Sequence, residues 1–256
     1  MIVNEEQFKK EQLTSNRWEL VVKSNDLLRN TRYTLNSTEQ KLLVYIISMI
    51  KPEDKEFKEV EINIIEYCKL AGIETNSGNI YQYIKDQIQT LANKSWWIPL
   101  GDKKEILFRW IDKASIEKGS GIIKIKLHDN LKPYLLDIRS NFTKYELINV
   151  LALRGKYAIR LYELFKSYLW QGHWEISVDE LKNLLNIADK YKQFKEFKRS
   201  LLKPAIDEIN KFTDLQIDYK PVYQGKAIKN ILFSIGEKQG YQIAMELMNN
   251  RRERFE

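Results

Sequence analysis

The strongest constraint on the fold of this chain is that it contains one pattern twice. "KEVEINIIEYCKLAGI" at 58–73 and "GHWEISVDELKNLLNI" at 172–187 align at a constant offset of 114 residues. Glu61, Ile62, Glu66, Leu70 and Ile73 then coincide with Glu175, Ile176, Glu180, Leu184 and Ile187. Each stretch opens with a short extended segment and reaches an N-cap candidate, Asn63 or Ser177, with a Glu three residues further on. That is a capping box, in which the cap and Glu side chains satisfy the orphan backbone donors of a helix start. Leu70 with Ile73, like Leu184 with Ile187, closes a short helix by packing inward.

The repeat runs on into the next element, where Tyr83 aligns with Phe197 and Lys85 with Arg199. Strand-like sequence follows in both halves. In the second, "LQIDYK" and "NILFSI" flank "PVYQGKAIK" and predict a hairpin with a basic tip. In the first, "SWWIPL", "EILFRWIDKA" and "GIIKIKLH" predict three strands. An amphipathic helix precedes each unit, at 37–50 and at 156–170. Helix, short strand, helix, helix, hairpin is the order of a winged helix. The expected fold class is therefore α+β, two tandem winged-helix domains related by an internal repeat. They run over 20–140 and 141–236, between a flexible N-terminal segment at 1–19 and a C-terminal tail at 237–256.

The predicted second helix of the second half, "YKQFKEFKRSLLKPAIDEIN" (191–210), has its charges reversed. Basic residues crowd its start and Asp207 and Glu208 its end, whereas the helix dipole favours the opposite. At 100° per residue Lys192, Lys195, Arg199 and Lys203 share a sector of roughly 80°, with Glu196 among them. Phe194, Phe197, Leu201 and Ala205 gather opposite, so the helix is pinned by apolar side chains and shows a basic stripe. Pro204 lacks the donor that bonds back toward residue 200, and a bend or break is expected there.

In a helix-turn-helix the second helix enters the major groove of double-stranded DNA, and its N-terminal residues meet the bases. The reversed charge has a purpose there, because phosphates outweigh a dipole penalty of about 0.3–1 kcal/mol per charge. Arg199 suits the O6/N7 edge of guanine and is the candidate for direct readout. Lys192 and Lys203 suit phosphates, and Lys198 can reach the backbone from beside the stripe. Glu196 can accept from cytosine N4 or orient Arg199. Lys220, Lys226 and Lys229 on the wing are expected to reinforce this surface. In the first half the equivalent helix offers Lys85 and Lys94 among Tyr81, Gln82, Gln87 and Gln89. That domain is expected to assist, to dimerise, or both.

The net charge of +7 and pI near 9.1 fit an anionic partner. Cys68 is the single cysteine, so no intrachain disulfide is possible and a reducing compartment is implied. The polar start "MIVNEEQFKKEQ" does not read as a signal peptide. The apolar run at 42–50 is far short of the ~20 residues that span a bilayer, so a cytoplasmic protein without membrane contact is expected.

Nothing points to an enzyme. The two histidines, His128 and His173, form no His-hydrophobe-His metal motif. No phosphate-loop motif is present, and no cofactor or metal is expected.

Three blocks carry a family resemblance: "VVKSNDLLRNTRYTLNSTEQKLLVYIIS" (21–48), "KYAIRLYELF" (156–165) and "FKEFKRSLLKPAIDEINKFTDLQIDYK" (194–220). They resemble the plasmid replication initiators of the Rep 3 (RepB-like) family, over about residues 20–236. The resemblance implies binding to short direct repeats, iterons, at a plasmid origin. It further implies opening of an AT-rich segment and recruitment of the host initiator and replicative helicase. It also implies a monomer–dimer equilibrium in which dimers repress the initiator's own promoter at an inverted repeat. "FKRS" (197–200) stands where the family places its basic reading residues. Lys198 and Arg199 match, and Ser200 replaces a basic residue of some members, so no base preference carries over. Gly225-Lys226, with Lys229, matches the basic wing turn. Residues 24–50 and the 96–127 hairpin region are candidates for the dimer surface, with Trp96 assigned instead to the core. The alternative is a tandem winged-helix transcription regulator without a replication role.

Overall fold

The computed structural model describes residues 19–75, 79–99, 104–117 and 119–238. Nearly all of the expected N-terminal segment 1–19 and tail 237–256 lies outside them. The chain forms two compact units, one of residues 19–24 with Thr38–Leu151, the other of Asn25–Ser37 with residues 152–238.

In the first unit β1 (Leu20–Ser24) pairs antiparallel with β7 (Phe142–Glu146). This ladder draws residues 142–146 into the first unit, so the division expected after residue 140 falls inside it. Helix α1 (Asn25–Asn30) and the loop to Ser37 join the second unit instead. Two arginines explain why. The Arg29 guanidinium lies 4.0 Å from the Tyr168 ring centre, and its Nε donates to Ser167 Oγ at 3.1 Å. Arg160 Nη2 donates to the Thr31 carbonyl at 2.8 Å, with the guanidinium 4.8 Å from the Tyr33 ring.

Helix α2 (Ser37–Ser48) is the core of the first unit, with Leu42, Leu43, Val44, Tyr45, Ile46 and Ile47 all buried. A dimer surface over residues 24–50 therefore loses most of its apolar side chains to the interior. β2 (Val60–Asn63), α3 (Ile64–Ala71) and α4 (Ile80–Asn93) follow. Then come β3 (Ser95–Pro99), β4 (Glu105–Arg109), β5 (Ile111–Ile116) and β6 (Ile122–Leu127). One sheet has the order β2-β6-β5, and β3 with β4 makes a separate hairpin.

The stretch expected as one strand, "EILFRWIDKA", is thus two strands in different sheets. Trp110 forces the break: its side chain is fully buried, its ring centre is 4.2 Å from that of Trp96, and its carbonyl accepts from the His128 N–H at 3.1 Å. Trp96 is buried too, in the core as expected. Two short helices, α5 (Lys132–Leu135) and α6 (Leu147–Ala152), complete this unit's chain.

The second unit continues with α7 (Lys156–Tyr168), β8 (His173–Ser177) and α8 (Val178–Leu184). A long helical stretch follows, built of α9 (Phe194–Phe197), a π turn (Lys198–Leu202) and α10 (Lys203–Phe212). β9 (Leu215–Gln224) and β10 (Ala227–Glu237) close it in a sheet of order β8-β10-β9.

The duplication is plainer in the backbone than in the residues. Asn63 Oδ1 accepts from the Ile65 and Glu66 N–H groups at 3.1 and 3.2 Å, and Ser177 Oγ accepts from Glu180 N–H at 3.1 Å. Each helix then ends on a left-handed residue, Gly72 at φ 67 and Asn186 at φ 53, still 114 apart. Ile73 N–H bonds back to the Cys68 carbonyl at 2.8 Å and Ile187 N–H to that of Lys182 at 2.9 Å, the closure expected of a left-handed helix end.

The next helices also start in step, at Ile80 and Phe194. They part within one turn: Tyr83 is 40% exposed where Phe197 is fully buried. By burial Phe197 matches Ile84, so the pairings Tyr83/Phe197 and Lys85/Arg199 slip by one residue.

Replacing Ser177 by Ala is expected to lower the stability of the second unit by about 1 kcal/mol, while Ser177→Asp retains it. Urea denaturation followed by circular dichroism measures both, and equal midpoints for Ser177→Ala and wild type would contradict the cap.

Candidate nucleic-acid interface

The second helix-turn-helix of the chain presents its basic residues because its other face is buried. Phe197, Leu201, Leu202, Ala205, Ile206 and Ile209 all lie in the core. The turn before the helix is held from beneath. Lys182, buried in α8, donates to the Tyr191 carbonyl at 2.6 Å and lies 5.9 Å from the Phe197 ring centre. Tyr191 itself is left-handed at φ 56. Phe194, expected in the core, is only half buried, 6.3 Å from Phe197 by ring centres.

Lys192 lies in this turn rather than on the helix, and Lys195, Glu196, Lys198, Arg199 and Ser200 follow it, all exposed. Pro204 neither breaks nor ends the helix. Its missing N–H and its ring exclude an ordinary bond to the Ser200 carbonyl, and the backbone answers with a π turn in which Lys203 N–H reaches back to the Lys198 carbonyl. One extra residue in a turn rotates everything downstream by about 100°. Lys203 is rephased by this turn but stays near the sector of Lys195, and with Lys192 in the preceding turn the expected four-residue stripe is reduced to Lys195, Arg199 and Lys203.

Lys203 also has a partner, the Asp207 carboxylate at 2.5 Å. That hydrogen bond raises the ammonium's pKa above the usual lysine value, with the Asp207 charge assisting. Among the described residues no ion pair engages Lys195, Lys198 or Arg199.

The wing is more regular than expected. The ladder of β9 and β10 runs to Gln224 and Ala227, leaving only Gly225 and Lys226 to turn. Gly225, at φ 63, supplies the left-handed conformation that glycine adopts without a steric penalty. Lys229 falls at a register shift between Ile228 and Asn230, a bulge that re-aims its side chain.

Strand alternation separates Lys220 from this group: it shares the outer face of β9 with Gln216 and Asp218, whereas Leu215, Ile217 and Tyr219 point inward. Lys198 reaches the wing, its Nζ 5.7 Å from the Tyr219 ring centre. The wing's base is tied down by Lys166, which pairs with Asp214 at 2.8 Å and Glu237 at 2.9 Å.

Lys85 belongs to the other unit. It is exposed on α4, beside a groove of about 240 Å³ lined also by Ile88, Gln89, Ala92, Ile116 and Ile123. Lys94 is committed elsewhere, in an ion pair with the buried Glu39.

The histidines serve local turns. His128 Nδ1 accepts from Asn130 N–H at 3.2 Å, and His173 Nδ1 lies 3.0 Å from the Gln171 carbonyl. No helix among the described residues is long and apolar enough to cross a membrane. Sequence reading passed over two residues, one beneath this surface and one on it. Lys182 reads as a surface lysine on a short helix, and no local signal marks it as buried. Tyr223, 61% exposed, was visible only as part of the wing tip.

Two family models cover this architecture in order: "Initiator Replication protein, WH1" matches residues 20–166 and "Initiator Rep protein, WH2" residues 177–235. The chain belongs to this initiator family. It is thus a replication initiator protein of the plasmid type, built on two winged helices, as its resemblance implied. A replication initiation protein of Escherichia coli is 27% identical over 244 residues, 91% of this chain and 75% of that one. The PI protein of Escherichia coli is 29% identical over 154 residues, 54% of this chain and 45% of that one. The crystal structure of Pi initiator protein in complex with iteron DNA matches with a TM-score of 0.73 at 20% identity, covering 88% of this chain and 99% of that one. That likeness establishes the fold.

The Lys203–Asp207 pair is directly measurable. In Asp207→Asn the Lys203 pKa, followed by NMR of its side chain, is expected to fall to the ordinary lysine value. An unchanged titration would mean the pair does not persist in solution.

Proposed function

We propose that this initiator binds double-stranded DNA at direct repeats of its plasmid origin through the helix at 194–212, with the wing tip as a second contact. One observation carries the reading: Lys195, Lys198 and Arg199 stand exposed, with no acidic partner among the described residues, on the first turns of the second helix of a helix-turn-helix. Those are the turns that meet base edges in this motif. Arg199 reads guanine, Glu196 and Ser200 contribute hydrogen bonds beside it, and Lys192, Lys195 and Lys198 hold the phosphates. Lys226 and Lys229 extend the contact from the wing. Lys203, half neutralised by Asp207, and Lys220, on the outer face of the wing, are lesser contacts. The first unit assists, through Lys85 and the tyrosine and glutamine side chains around it.

On this reading the bound monomer helps open the adjacent AT-rich segment and recruits the host initiator and helicase, while dimers repress the promoter. The dimer surface is then sought in the 96–127 region rather than in helix α2, whose apolar face is already in the core.

The deciding experiment compares binding to the DNA flanking the gene with binding to scrambled DNA, across a salt series, for wild type and Arg199→Ala. Wild type is expected to prefer the flanking repeats. Arg199→Ala is expected to lose about 1–3 kcal/mol of that preference while keeping weaker, salt-sensitive binding. Equal binding to both DNAs with Arg199 immaterial would sink the proposal. Preference for a lone palindrome over the repeats would favour a regulator instead.

A further inference from the structure

The wing carries a neutral feature that the basic residues do not explain. Tyr219, Pro221 and Tyr223 fall on one face of β9 by strand alternation. Tyr219 identifies that face, since its ring centre is 6.2 Å from that of core Phe233 and 5.7 Å from Lys198 Nζ. The face is therefore the one that meets the DNA-directed helix.

Along it exposure increases outward, from the half-buried Tyr219 and Pro221 to Tyr223 at 61%. Tyr223 pairs across the hairpin with Ile228, one residue from the turn. Around it stand Lys226 and Lys229, both exposed. A large ring held open to water on a rigid two-strand ribbon and rimmed by cations fits a partner with anionic groups and flat apolar faces together. A sugar–phosphate strand offers both.

We propose that Tyr223 is a neutral DNA anchor: its ring packs on the deoxyribose wall of the minor groove beside the major-groove site, while Lys226 and Lys229 take the flanking phosphates. The inference rests on the DNA-binding reading above and adds to it a contact that charge does not supply. Because the strip runs from Lys198 to the wing tip, the ring also fixes how far the wing reaches from the helix.

An uncharged contact and a charged one leave different marks on the salt dependence. Neutralising a phosphate contact changes the slope of log K against log salt by about 0.9; removing a ring contact lowers K at every salt and leaves the slope alone. The full chain is titrated with duplex carrying the flanking repeats, as wild type and as Tyr223→Ala, Tyr223→Phe and Lys226→Ala. Tyr223→Ala is expected to bind about tenfold more weakly with an unchanged slope, and to keep the wild-type melting temperature. Tyr223→Phe is expected to bind as wild type, and Lys226→Ala to flatten the slope.

Wild-type affinity in Tyr223→Ala overturns the proposal and leaves the helix reading intact. So does a loss in Tyr223→Phe as large as in Tyr223→Ala, which would assign the effect to the hydroxyl. Absence of any preference in the wild type brings down both readings.

Discussion

The second unit depends on the burial of one face of the helix at 194–212. Phe197, Leu202 and Ile209 are fully buried, and Leu201, Ala205 and Ile206 nearly so. Each large side chain among them contributes about 1.5–3 kcal/mol, against a dipole penalty of about 0.3–1 kcal/mol per misplaced charge. Packing therefore decides the helix, and the cations at its start are carried at a small cost. The same core fixes the turn before it, through Lys182 beneath Tyr191 and Phe197, and the wing after it, through Phe233 and Tyr219.

The acidic half of that helix has its own explanation. Asp207 holds Lys203. Glu208 accepts from the backbone N–H groups of Arg154 and Gly155, the latter at 3.2 and 3.3 Å. It thus satisfies donors at the start of α7, where a carboxylate is favoured by the dipole. An acid misplaced on its own helix is well placed on its neighbour. Pro204 lies between the two halves, and the π turn it induces separates them in phase. Among the described residues, Lys195, Lys198 and Arg199 are then left on the helix without an ion pair.

The two copies keep what local geometry requires and vary the rest. The cap oxygen, the left-handed corner and the bond that closes it recur at one offset, although the corner is Gly72 in one copy and Asn186 in the other. Beyond the second helix start the copies diverge. The first inserts the β3–β4 hairpin around Trp96 and Trp110; the second inserts a residue at the π turn. A corner demands a backbone shape that few residues adopt, whereas an exposed helix face tolerates replacement of lysine by tyrosine or glutamine.

The caps, the turns, the amphipathic helices and the order of elements were legible because each depends on residues within about four positions of one another. Asn63 and Ser177 declare their helix starts, Gly225 its turn, and the density of lysine around 190–203 its surface. What tertiary structure decided involves partners far apart in the chain. Residues 25–37 fold onto α7 because Arg29 and Arg160 find Ser167 and Thr31 more than a hundred positions away. β7 belongs with β1 because their ladder closes there. Lys94 is tied to Glu39, Lys182 is buried, and Lys220 faces away from the helix, though all three read alike as exposed lysines. Side-chain charge is written in the sequence; whether that charge is paired, buried or turned outward is set by packing, because each outcome depends on what a distant segment places beside it.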